Sequence, residues 1–308
     1  MQLVTVGTVA FDRIETPFGK ADKVVGGAAT YISLAASFFL DKLGLVSVVG
    51  DDFPAEVMAT MRGKGIDLAG LEILKGKESF FWAGRYHYDM NNRDTLETRL
   101  NVLLELDPKL PEHFKPAPYV MLGNLDPKVQ GKVLDQVKDP ALVVMDTMNF
   151  WMDSAMDELK KVIARVDILT INDAEARQLS GEHSLVKAAN KILGMGPKYL
   201  VVKKGEHGAL LFSEDRVFFA PALPLEDIID PTGAGDTFAG GFIGYLAHTK
   251  DHSFDNLKRA IIVGSSLASF CCEKFGIQRL LEIGREDIDR RIQQFIDLVD
   301  FDIELVEE

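Results

Sequence analysis

The chain has 308 residues and is 47% hydrophobic, enough to build a large core without disulfide or metal staples. A formal charge of −13 with no basic stripe argues against a nucleic-acid backbone as partner. No run reaches the roughly 18 apolar residues of a membrane span, and no basic segment followed by a long apolar run opens the chain. Adjacent Cys271 and Cys272 lack zinc-type spacing and read as small apolar residues of a reduced chain. A cytoplasmic protein with one domain over 1–308 is expected.

Short apolar runs alternate with helical patterns along most of the chain. Leu3–Val6, Leu45–Val49, Tyr119–Leu122, Leu142–Met145, Asp167–Ile171 and Tyr199–Val202 read as strands. Between them, Ala28–Leu40, Ala55–Lys64, Pro127–Val137, Ser154–Arg165 and Ser184–Leu193 read as helices. Strands without polar alternation are buried on both faces, so the pattern predicts a doubly wound, mostly parallel α/β sheet with helices on both sides. Two stretches break it. Residues 11–25 have no helical periodicity, and 79–101 read as two extended segments around the polar turn Asp89–Asp94. In the first of these segments Phe81, Ala83, Arg85 and His87 share one face, and Phe80, Trp82, Gly84, Tyr86 and Tyr88 the other. Together the two stretches predict a small β lid over the sheet's carboxyl edge; an ordinary edge hairpin fits the 79–101 pattern equally well. Asp236–His248, Ser253–Phe270 and Arg285–Leu298 make the last third helical, and 300–308 read as an exposed acidic end.

The sharpest signal is Asp230-Pro231-Thr232-Gly233-Ala234-Gly235-Asp236, where an extended region meets a helix rich in small residues. Gly233 and Gly235 allow a tight turn with N–H groups facing an anion, and the helix start adds positive potential. Such a nest suits a phosphoryl group in transit, and Asp236 beside it is placed to take a proton from an attacking hydroxyl. A glycine-rich helix start capped by Asp explains Asp236 and one of the glycines, but not Asp230, Thr232 or Gly240-Gly241. No Gly-x-x-x-x-Gly-Lys-Ser/Thr occurs, so a P-loop route is excluded.

This segment resembles the C-terminal signature of the ribokinase-like, or PfkB, family of carbohydrate and nucleoside kinases; Pro231 stands where Val or Thr is usual. The resemblance implies Asp236 as base and Gly233, Ala234 and Gly235 as the anion hole. It extends from residue 3 to about 290. Asp12 and Gly26-Gly27 resemble the elements that approach the acceptor, and Asp230 joins them. Asn172 with Glu175 resembles the Asn-x-x-Glu element that organises Mg²⁺ and phosphates, although by themselves these two residues fit a helix capping box. Lys203 and Gly205, with Gly208 and Gly276, match the turns around ATP. Asp146 and Asn149 match an element at the same edge. The family also implies a monovalent cation, K⁺, near Asp230 and Thr232. The expected activity is transfer of the γ-phosphoryl group of ATP to a hydroxyl of a small sugar, or alternatively of a nucleoside stacked on Tyr31, Phe81 or Trp82. A catalytically silent ligand-binding relative is the third reading. Tyr31 replaces the Asn that many sugar kinases carry, and Arg85 and His87 on the lid either offer contacts for a polar or anionic acceptor or simply project into solvent. A lid with an exposed apolar face would join two copies into a homodimer.

Overall fold

The computed structural model describes residues 1–300, so the expected acidic end lies almost wholly outside the described residues. The strands are β1 (Leu3–Val6), β2 (Ala10–Thr16), β3 (Gly19–Gly26), β4 (Leu43–Gly50), β5 (Ile66–Leu74), β6 (Phe80–Tyr86), β7 (Arg93–Arg99), β8 (Tyr119–Leu122), β9 (Leu142–Asp146), β10 (Ile168–Asn172), β11 (Tyr199–Lys203), β12 (Ala209–Phe212) and β13 (Val217–Ala220). The helices are α1 (Ala28–Ala36), α2 (Ala55–Gly63), α3 (Pro127–Leu134), α4 (Asn149–Ser154), α5 (Met156–Ile163), α6 (Asp173–Ser180), α7 (Leu185–Leu193), α8 (Ala234–Thr249), α9 (Phe254–Cys271), α10 (Gln278–Glu282) and α11 (Arg285–Val299).

Nine strands form the large sheet in the order β13-β12-β11-β10-β9-β8-β1-β4-β5. Pairing is parallel from β5 to β11, and β12 and β13 add an antiparallel edge. Alternate side chains of each central strand enter two cores. Leu3 and Val201 pack with α1, α8 and α9, whereas Val4, Leu200 and Val202 pack with residues of α3, α5 and α7. That is the sandwiched parallel sheet the continuous apolar runs predict.

The small residues of α8 set how closely it lies on its neighbours. A Cβ on Gly240 would stand 2.3 Å from the Ile32 carbonyl oxygen, and one on Gly244 2.8 Å from Ala36 Cα. Backbone therefore meets backbone between α8 and α1, which fixes the start of α8 at the carboxyl edge of the sheet.

The second sheet has four strands, β3-β2-β6-β7, drawn from the two stretches that break the strand–helix pattern. Its β2–β6 pair is parallel and the other two pairs are antiparallel. Among the described residues, no helix is long and apolar enough to cross a membrane.

Candidate active site

Asp146, Asn172 and Lys203 are the last residues of β9, β10 and β11, which lie side by side, and the start of α8 faces them. The turn into α8 is held by Asp230, whose carboxylate accepts from the Thr232 amide (2.8 Å) and the Gly276 amide (3.1 Å). Gly233 caps the helix in the left-handed region at φ 78°, and a Cβ there would stand 2.4 Å from the Tyr31 ring. Only glycine combines that φ with that contact. Among the described residues, the amides of Gly233, Gly235 and Asp236 have no acceptor, which leaves three free donors at the start of α8, an arrangement that suits an anion. The sequence expectation needs one correction: the Ala234 amide donates to the Pro231 carbonyl (3.1 Å), so the tight turn itself uses that donor and Asp236 supplies the third free one.

Beneath the nest lies a cluster of charge. Lys203 Nζ donates to Asp146 Oδ2 (2.8 Å), and a Cβ on Gly235 would come within 3.3 Å of the same nitrogen. Burial works against the Lys203 charge, but Asp146 and Glu175 hold its pKa above the usual value. Asn172 and Glu175 do form the capping box of α6: Glu175 accepts from the Asn172 amide (2.7 Å) and Asn172 from the Glu175 amide (2.8 Å). Burial, then repulsion from Asp146, pushes Glu175 up to about 7, against the pull of Lys203. Half-buried Asp236 is raised to about 7 by burial and by Asp146, with Lys203 and Arg93 opposing. A carboxyl group at that value is a base near neutral pH.

The small sheet closes the cleft from above. Asp12 of β2 is buried and raised to about 8, by desolvation first and then by Asp230 and Asp236. Gly26 makes room for it, since a Cβ there would stand 1.9 Å from Asp12 Oδ2. Gly27, at φ 93°, lets α1 start against Thr8, whose hydroxyl accepts from the Ala28 amide (2.9 Å). Tyr31 is buried with its hydroxyl unpartnered, and Asp12, Asp230 and Asp236 all lie near enough to raise its pKa further after desolvation. Tyr86 of β6, which sequence reasoning did not single out, accepts a hydrogen bond from Thr232 Oγ1 (3.2 Å) and so joins the small sheet to the nest. In the turn after β6, Asn91 donates to Glu206 (3.2 Å) and abuts Gly205.

Not every expected residue comes together here. Arg85 lies on the solvent side of the small sheet, where it pairs with Glu15 at 2.8 Å. Phe81 shares the face of Arg85 but is buried with its register partner Phe11 in the main core, under the Arg99 guanidinium; Trp82, in register with Asp12, is on the cleft side. Alternation along β6 made both faces available, and the pairing with β2 selects between them. Gly205 and Gly208 turn the chain after β11 at φ 55° and 87°. Gly276 contributes through Asp230, since its amide binds that carboxylate. Asn149 bonds Gln178.

Among the described residues, no three His, Cys, Asp or Glu side chains converge as a metal cage.

The model of the pfkB family carbohydrate kinases matches residues 2–283. A cytidine kinase of Thermococcus kodakarensis is 32% identical over 250 residues, covering 80% of this chain and 88% of the relative. The solved nucleoside kinase of Methanocaldococcus jannaschii superposes with a TM-score of 0.76 at 22% identity, covering 96% of this chain and 99% of that one. An E. coli protein solved as a ribokinase II with ATP and Mg²⁺ gives 0.78 at 20% identity, with 95% and 99% covered. With a family model matching nearly the whole length, the chain belongs to the pfkB family of carbohydrate kinases.

Proposed function

We propose that the chain transfers the γ-phosphoryl group of ATP to a hydroxyl of a sugar ring, with Asp236 as the base. Family membership makes it a phosphotransferase with an alcohol acceptor. The observation that carries the residue roles is the set of unpartnered amides of Gly233, Gly235 and Asp236, beside a carboxyl group raised to about 7. Asp236 takes the proton of the attacking hydroxyl as its oxygen bonds to phosphorus and the bond to ADP breaks. The amides receive the charge on the phosphoryl oxygens, and Lys203 lies directly below them. Asp12 and the free Tyr31 hydroxyl orient the acceptor, with Gly26 and Gly27 leaving it space. Gly205, Gly208 and Asn172 border the nucleotide. Glu175 would help hold Mg²⁺ through water, and the ion would supply positive charge against the phosphates. A K⁺ beside Asp230 and Thr232 fits a buried carboxylate that has no basic partner.

The small sheet serves as a lid that excludes competing water. Its tie to Thr232 through Tyr86 and its reach to Glu206 through Asn91 suit that role. Pairing of two copies through it would bring a charged surface into the contact. Its solvent side carries Arg13, Glu15, Arg85, Glu97 and Arg99 in ion pairs.

Likeness to the cytidine kinase favours a nucleoside over a free sugar as acceptor, and Trp82 on the cleft side offers an aromatic surface for a base. The test is ADP release from Mg·ATP with panels of pentoses, hexoses and nucleosides. One class should release ADP well above the acceptor-free rate. If neither does, the kinase reading is wrong.

A further inference from the structure

Four arginines decorate the small sheet: Arg13, Arg85, Arg93 and Arg99. Arg13 pairs with Glu97, Arg85 with Glu15, and Arg99 with Glu97, all on the solvent side. Arg93 differs. It is directly opposite Tyr86 in the antiparallel β6–β7 pair, so the two side chains share a face. Tyr86 uses that face to reach Thr232 at the nest, which turns Arg93 toward the same cleft. Among the described residues, the Arg93 guanidinium makes no ion pair and no hydrogen bond; the Trp82 ring lies 5.8 Å away. At that distance the ring is a weak partner.

The cleft it faces holds buried Asp12, Asp146, Glu175 and Asp230 and half-buried Asp236, with the half-buried ammonium of Lys203 on Asp146. Bringing a triphosphate into such a site adds more negative charge. The positive charge of Arg93 lowers the proton affinity of Asp236 and Glu175.

We infer that Arg93 is a further catalytic residue, delivered by the lid to bind the γ-phosphoryl oxygens opposite the amide nest. This rests on the kinase reading above. A planar guanidinium matches two phosphoryl oxygens at once, and charge spread over those oxygens in transit is what it would stabilise. Because Arg93 rides on the hairpin whose Asn91 touches the Gly205–Glu206 turn, the guanidinium is in place only when the lid is down. Transfer to water in the open state is thereby disfavoured.

The experiment uses full-length Arg93→Gln and Arg93→Lys with the acceptor found by the screen. For Arg93→Gln, kcat should fall by about 10²–10³-fold, as when one transition-state donor is lost. Affinity for Mg·ADP should stay close to wild type, while affinity for Mg·ADP–tetrafluoroaluminate, measured by calorimetry, falls by a similar factor. Arg93→Lys should recover part of both. Equal tetrafluoroaluminate affinity in wild type and Arg93→Gln overturns the proposal. So does a rise in acceptor KM at unchanged kcat, which would make Arg93 an acceptor contact. A wild-type chain that releases no ADP with any acceptor overturns the kinase reading instead, and this inference with it.

Discussion

Asp12→Asn should make the free protein more stable at high pH while harming its activity. Asp12 is 4% exposed, has Asp230 and Asp236 as neighbours, and has no hydrogen bond or ion pair among the described residues. Its pKa is therefore raised from 3.8 to about 8 in the fold. A raised carboxyl group binds more protons folded than unfolded, so its contribution to stability falls as pH rises from the unfolded value to the folded one. Between pH 6 and pH 8 the loss is about 2 kcal/mol, from one pKa unit being worth about 1.4 kcal/mol and titration flattening near the folded pKa. Asn keeps the shape and does not ionise. Thermal melts of both proteins at pH 6 and pH 8, without ligands, provide the assay. The variant's advantage in Tm should grow by about 4–6 °C over that interval, and acceptor KM should rise. A Tm difference that is the same at both pH values refutes the electrostatic reasoning about this residue.

Lys203→Met removes the cation that holds Asp236 down, so the acid limb of kcat/KM should move to higher pH than in wild type; an unmoved limb contradicts the cluster. The same change strands buried Asp146 and should destabilise the fold by about 3 kcal/mol in chemical denaturation. Gly233→Ala combines a left-handed φ with a clash against the Tyr31 ring, and should lower stability by about 1–3 kcal/mol together with kcat. Unchanged turnover in that variant would separate the turn from the chemistry.

What the sequence disclosed depended on how local the signal was. The Asp230–Asp236 turn was legible because two glycines, two acids and a helix start lie within seven residues, and each has a distinct conformational reason to be there. The central parallel strands were legible from unbroken apolar runs. The strand at Ile66–Leu74 and the edge pair Ala209–Phe212 and Val217–Ala220 were not, because exposed positions interrupt β5 and β13 and the edge runs are only four residues long. A short polar turn, Ser213–Arg216, between two apolar runs was the available hairpin signal. The pairing of Asp146 with Lys203 spans 57 residues and depends on β9 and β11 flanking β10, which only the strand order reveals. Arg93 looked like part of a polar turn, because its facing toward the cleft follows from the β6–β7 register rather than from its neighbours in the chain. For the same reason Arg85 looked available and is instead paired outside.

The most direct measurement is the pH dependence of phosphoryl transfer by wild type and Asp236→Asn, with Mg·ATP and the acceptor from the screen. Wild-type kcat/KM should fall tenfold per unit below about pH 7, where Asp236 gains its proton. Asp236→Asn should fold normally, lose roughly 10²–10⁴ in kcat and show no such limb. An Asn variant that turns over like wild type with the same acid limb would contradict the assignment of Asp236 as the base.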